Sequence, residues 1–197
     1  MKRFRWLALT VVLAFLFAGC EPQASLFPLF TKQDTDFDKQ LLSEWQIWSG
    51  TSSKPGDKPG LIVFQTADAA YTYEVKVPDF DEQGKTLLSK ARLVKLGRYL
   101  FIDFATPDVY KLPQIPYPAL PSHVFGRLTL EKDSARIDLL SDDWVKNNVK
   151  AGKLPLAFEE PSSPVLSATT GELRKFALEH AEDRDAFSET FTLVRKN

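Results

Sequence analysis

Cysteine occurs once in the 197 residues and histidine only twice. A single thiol cannot close a disulfide within the chain. The two histidines, His123 and His180, are far apart and offer no zinc-ligand spacing. A glycine-rich phosphate loop and a Gly-x-Ser-x-Gly nucleophile elbow are both missing. Neither sign of charge dominates, with 25 Lys and Arg against 26 Asp and Glu. Nucleic-acid binding, which needs clustered positive charge, has no electrostatic basis here. Long apolar runs are scarce as well. The most prominent, residues 6–18, is shorter than the roughly 20 residues a membrane-spanning helix needs.

That run follows Lys2, Arg3 and Arg5 and ends in Ala18-Gly19. A positive start, a short apolar core and small residues at the end are the features of a secretory signal. Phe17-Ala18-Gly19-Cys20 resembles the lipobox of bacterial lipoproteins, with Phe17 where that family usually has Leu. The resemblance implies that the Cys20 thiol takes a diacylglycerol, that the leader is cut in front of it, and that the freed amine is acylated. Taken alone, the residues also admit a free thiol or an intermolecular disulfide at Cys20. Glu21 implies, by the same resemblance, the outer membrane, at its periplasmic face, if the host has two membranes. Removing residues 1–19 would leave 22 basic against 26 acidic side chains, a mildly acidic mature chain.

The expected organisation is a signal peptide at 1–19, a lipidated tether and entry segment at 20–40, and one β-rich domain at 41–197. Within the entry segment, Leu26, Phe27, Leu29 and Phe30 are too apolar for a free spacer and are expected to dock. Strands are read at EWQIWS, LIVFQT, AAYTYEVKV, TLLSKARLVKL, YLFIDF, HVFGRLTLE, SARIDLL, VLSA and ETFTLVRK. In the third of these, Tyr71, Tyr73, Val75 and Val77 alternate with polar residues, the period of a half-buried strand. Gly97-Arg98 and Lys132-Asp133 mark tight turns. A proline-rich crossing, ATPDVYKLPQIPYPALPS at 105–122, is expected to run extended over the surface. Helices are expected at 142–151, with acids in the first turn and Lys150 in the last, and at 170–180, where Thr169 and Glu172 have capping-box spacing.

Such a run of hairpins predicts a mainly β fold, an antiparallel meander closing into a barrel so that no edge is left exposed. A tryptophan-bearing first strand, a meander, a helix and a final strand resemble the lipocalin layout. Ser43 replaces the glycine of that family's Gly-x-Trp signature ahead of Glu44 and Trp45. The segments LFPLFTKQD, ARLVKLGRYLFIDF, LPSHVFGRLTL, LLSDDWVKNNVKAGKL and SATTGELRKFALEHAEDRDAF are also similar to a group of small bacterial lipoproteins. That resemblance implies a shared fold and an envelope location, but the group lends no activity.

Candidate chemistry is thin. Asp34, Asp36 and Asp38 imitate the start of a calcium loop, but Lys39 and Trp45 stand where its glycine and bidentate glutamate belong. No metal site and no cofactor is expected. Asp142-Asp143 sits where a helix dipole favours acid, and Glu159-Glu160 lies in a polar loop. His123 follows Ser122, yet strand neighbours point to opposite faces. The chain is therefore read as a non-enzymatic envelope lipoprotein, membrane-held through Cys20, that acts as an interaction or structural module with an envelope-protein partner. The alternative is a carrier of an apolar ligand, with Trp45, Phe64, Tyr71, Tyr73, Phe101 and Phe125 lining its cavity. A hydrolase is the third reading.

Overall fold

The computed structural model describes residues 23–50, 58–79, 84–105, 122–151, 158–159 and 165–196. The signal segment, Cys20, residues 106–121 of the proline-rich crossing and Glu160 lie outside them. The strands are β1 (Ala24–Ser25), β2 (Ser43–Ser49), β3 (Gly60–Thr66), β4 (Tyr73–Val77), β5 (Leu87–Leu96), β6 (Tyr99–Ala105), β7 (His123–Leu130), β8 (Ser134–Leu139), β9 (Phe158–Glu159), β10 (Val165–Leu166) and β11 (Glu189–Arg195). The helices are α1 (Asp142–Lys150) and α2 (Thr170–Glu179).

Strands β2 to β8 pair in chain order, β11 pairs with both β8 and β2, and β6 pairs with β7. The sheet is therefore a closed antiparallel barrel of eight strands, consistent with a lipocalin-like architecture. Three short strands extend it. At the start of β7, where β8 has turned away, β1 takes the place beside it, and β10 and β9 follow.

Turn chemistry fixes the hairpins. Gly97, at φ +58, supplies the left-handed residue between β5 and β6. Tyr71 also has positive φ, +55, and lies in the turn before β4. The alternation read at 71–77 thus begins two residues later, and Tyr71 is excluded from the strand. The Ser141 hydroxyl caps α1, accepting from Trp144 N–H at 3.3 Å. Thr169 and Glu172 form the reciprocal capping box of α2.

Register sorts the side chains into two cores. Leu100 faces Leu128, Ile102 faces Gly126 and Phe104 faces Val124 on the inside of the barrel. Phe101, opposite Arg127, and Phe125, opposite Asp103, are on the outside. Trp45, Phe64, Tyr73, Leu93, Ile102 and Leu193 belong to the interior core. Phe101, Phe125, Leu29, Val145, Leu166, Leu173 and Phe187 form the second core, between the outer wall and the helices.

Gly126 marks where this wall is tightest. A Cβ there would lie 2.5 Å from the Asp138 carbonyl oxygen and 2.8 Å from Leu139 Cδ2. Backbone on one side leaves little room to yield. We expect Gly126→Ala to cost about 1–3 kcal/mol of unfolding free energy, the usual range for overpacking. Urea unfolding followed by circular dichroism checks this.

Candidate functional site

The two ends of the barrel differ. At one end are the β3–β4, β5–β6 and β7–β8 turns, the start of β2 and the finish of β11. A 3₁₀ turn, Lys39–Leu41, closes it, with Asp38 accepting from Gln40 N–H as its cap. Trp45 is wholly buried and donates its indole N–H to the Leu41 carbonyl at 2.9 Å. The Arg195 guanidinium covers that ring at 4.4 Å and donates to the Gln40 carbonyl.

Phe37 lies parallel to Tyr73 at 4.5 Å. The Tyr73 phenol accepts from Asp38 N–H and donates to the Asp38 carbonyl. Burial, with nearby Asp38 and Asp36, pushes its pKa up to about 12. A cleft of about 270 Å³ remains between Asp36–Asp38 and the β5–β6 hairpin, where Lys95, Arg98 and Tyr99 contribute to its lining. Its charges are of both signs and its walls are open, so it offers no apolar pocket.

At the opposite end Ile47, Val77, Phe104, Val124 and Phe191 are partly buried and form a ring packed on the interior core, as Phe37, Leu42, Leu100 and Leu130 pack on it nearer the first end. The ring residues come from β2, β4, β6, β7 and β11, so the ring runs around most of the mouth. Gly60 allows Ile47 to lie across β3, since a Cβ there would sit 2.9 Å from Ile47 Cγ2. The long loops attach at this end, as do the helices.

On the outer wall, residues 23–38 form a strap running from the start of β7 to the 3₁₀ turn. Leu29 is fully buried, and its N–H donates to the Asp103 carboxylate at 2.6 Å. The other Asp103 oxygen is 2.7 Å from His123 Nδ1. Phe30 packs edge-on against His123 and lies under the Arg92 guanidinium. The strap is also held by α2. Thr170 donates to the Pro28 carbonyl, and Arg174 reaches both the Leu29 carbonyl and Asp34. Burial alone would raise the Asp34 pKa, but Arg174 and Thr31 hold it below its ordinary value.

An acid–histidine pair could serve nucleophilic catalysis if a hydroxyl lay against the ring. Ser25, the register partner of His123, donates to the Phe27 carbonyl at 2.7 Å. The pair also fastens the strap, through Leu29 N–H and the Phe30 ring. His180 ends α2 against Trp144 and Phe176. Asp142 pairs with Lys146 one turn on. Among the described residues no three His, Cys, Asp or Glu side chains converge as metal ligands.

The aromatic set read from the sequence is thus divided. Trp45, Phe64 and Tyr73 are together inside the barrel. Phe101 and Phe125 belong to the outer core, because odd-numbered residues at these positions of β6 and β7 face outward. Tyr71 is exposed in its turn. The apolar ring has no sequence signal, since its members are one per strand and share no local motif. Likewise, Asp103 and His123 are brought together only by the pairing of β6 with β7. No helix among the described residues is long and apolar enough to cross a membrane. Comparison with protein-family models, curated proteins and solved structures finds no match.

Proposed function

We propose that this chain is an exported envelope lipoprotein, tethered by acyl chains on Cys20, whose barrel acts without catalysis as a binding module. The observation that supports this reading best is the ring of partly buried apolar side chains, Ile47, Val77, Phe104, Val124 and Phe191, at the end of the barrel away from the 3₁₀ turn. Such a ring is a surface for an apolar contact, whereas the buried ionisable groups are engaged in holding the strap and the wall. Buried acyl chains contribute about 0.8 kcal/mol per CH₂, so several would anchor the mature chain firmly. The ring also favours a second reading, a carrier whose ligand rests in the mouth above a filled floor.

Cys20→Ser in the full chain is expected to leave an uncleaved precursor that takes up no labelled fatty acid. Wild type should be processed and labelled. Acylation of the variant at wild-type level would refute the anchor. Native mass spectrometry of the detergent-extracted wild type separates the two binding readings, since one predicts a retained protein partner and the other a retained apolar molecule.

A further inference from the structure

We infer that the cleft between the end of the strap and the β5–β6 hairpin binds a small zwitterion, a molecule with an ammonium and a carboxylate on a compact apolar body. Neither Cys20 nor the apolar ring enters into it. The lining comes from described residues, on the strap, on β5 and β6 and in the turn between them.

The β5 pattern puts a cation at the rim. Leu93 is buried in the interior core, so Lys95, two residues on, leaves the strand on the same inward face. Its register partner is Leu100, which packs partly buried on that core. Lys95 is exposed, and it therefore rises from an apolar floor where the barrel ends. The strap supplies the facing wall. Phe37 is stacked on Tyr73, and both backbone groups of Asp38 are bonded to the Tyr73 phenol. These contacts fix residues 37 and 38, and with them the half-buried Asp36 on the cleft wall.

Charged side chains of both signs line the cleft: Asp36, Asp38, Lys95 and Arg98. Two of them are already committed. Asp38 caps the 3₁₀ turn, accepting from Gln40 N–H at 2.8 Å. Arg98 donates to the Tyr99 hydroxyl at 2.8 Å and is paired with Glu182. Asp36 and Lys95 have neither a hydrogen bond nor an ion pair among the described residues. Opposite charges that line one cleft attract, yet these two do not close on each other.

The space between them sets what fits. At about 270 Å³ it lies just under the usual range of pockets for drug-sized molecules, so the ligand is compact. An ammonium turned to Asp36 and a carboxylate turned to Lys95 would each gain a charge-assisted hydrogen bond. The apolar body would then rest on Leu93, Leu100 and the Tyr99 ring. A molecule with one charge satisfies one wall and meets its own sign on the other. That like-charge contact is the source of the selectivity.

L-Phenylalanine and two analogues test this. Phenylalaninamide keeps the ammonium alone, and N-acetylphenylalanine keeps the carboxylate alone. Each is titrated into the purified protein in dodecyl maltoside, an uncharged detergent, and followed by saturation-transfer NMR. Low salt avoids screening, and about pH 6 keeps the amines protonated. Phenylalanine should bind with a Kd on the order of 1 mM, in keeping with so small a ligand. Each analogue should bind about tenfold more weakly, having lost one charge-assisted bond. Lys95→Gln should weaken phenylalanine and N-acetylphenylalanine about tenfold and leave the amide no weaker. Asp36→Asn should weaken phenylalanine and the amide about tenfold and leave N-acetylphenylalanine no weaker. Because these side chains hold no bond in the fold, both variants should keep the wild-type urea midpoint. Analogues that bind as tightly as phenylalanine would overturn the site, as would either variant leaving phenylalanine unchanged. So would a loss shared equally by the three probes, or no saturable signal up to about 20 mM.

Discussion

Trp45→Ala should lower the unfolding free energy of the mature protein by about 3–5 kcal/mol, the cost of deleting a large buried aromatic. Three losses coincide at this position. The side chain is wholly buried, so its removal opens a cavity in the closed half of the barrel. Its N–H is the donor to the Leu41 carbonyl at the end of the 3₁₀ turn. The Arg195 guanidinium, which rests on the ring, loses the surface that positions it to bond the Gln40 carbonyl. Trp45→Phe refills part of the volume but leaves Leu41 without this donor, so it should fall between wild type and alanine. Urea unfolding read by far-ultraviolet circular dichroism measures both. A loss under about 1 kcal/mol for the alanine variant, within the range of a surface substitution, would mean that this end is held by other contacts.

The same residue illustrates what can be read along the chain and what cannot. Trp45 and Tyr73 fall in runs whose alternation or turn signals mark a strand, and both are inside the barrel. Hairpin order follows from short turns, and with it the barrel. The α2 cap follows from Thr169 and Glu172, three residues apart, and α1 from the acids of its first turn. Alternation fails where both faces of a strand are covered. In YLFIDF the apolar residues are consecutive because the outer wall carries helices and the strap, so Phe101 and Ile102 look alike while facing opposite cores. Tyr71 fails for another reason, since a positive φ ends the strand without a glycine to announce it. Sites are harder still. The ring at the mouth takes one residue from each of five strands, and the bond from Leu29 to Asp103 joins positions 74 apart. Only the closed register brings them together.

A similar closure around Asp138 sets the acid stability. Its side chain is only 2% exposed, on the outer face between β7 and β11. Arg127 donates to one oxygen at 2.9 Å, and Arg136 and Thr190 donate to the other at 2.7 and 2.6 Å. Burial by itself would raise the pKa, but the Thr190, Arg136 and Arg127 bonds outweigh it and hold the carboxyl below its ordinary value. The unfolded chain therefore takes up the proton first as the pH falls. The stabilisation is fully present above the unfolded pKa of about 4 and is lost as the pH drops through the lower native value. Arg127 also donates to the Ala181 carbonyl just beyond α2, so Asp138 helps fix the helical layer to the wall. Asp138→Ala strands one guanidinium that is largely buried and should cost about 3–5 kcal/mol near pH 7. Asp138→Asn retains the shape without the charge, so its deficit should be smaller and should shrink as the pH falls below about 4, the range in which wild type loses the same interaction. Parallel acid-unfolding curves for wild type and Asp138→Asn, with a deficit constant across that window, would show that the carboxylate charge is not what the three donors hold.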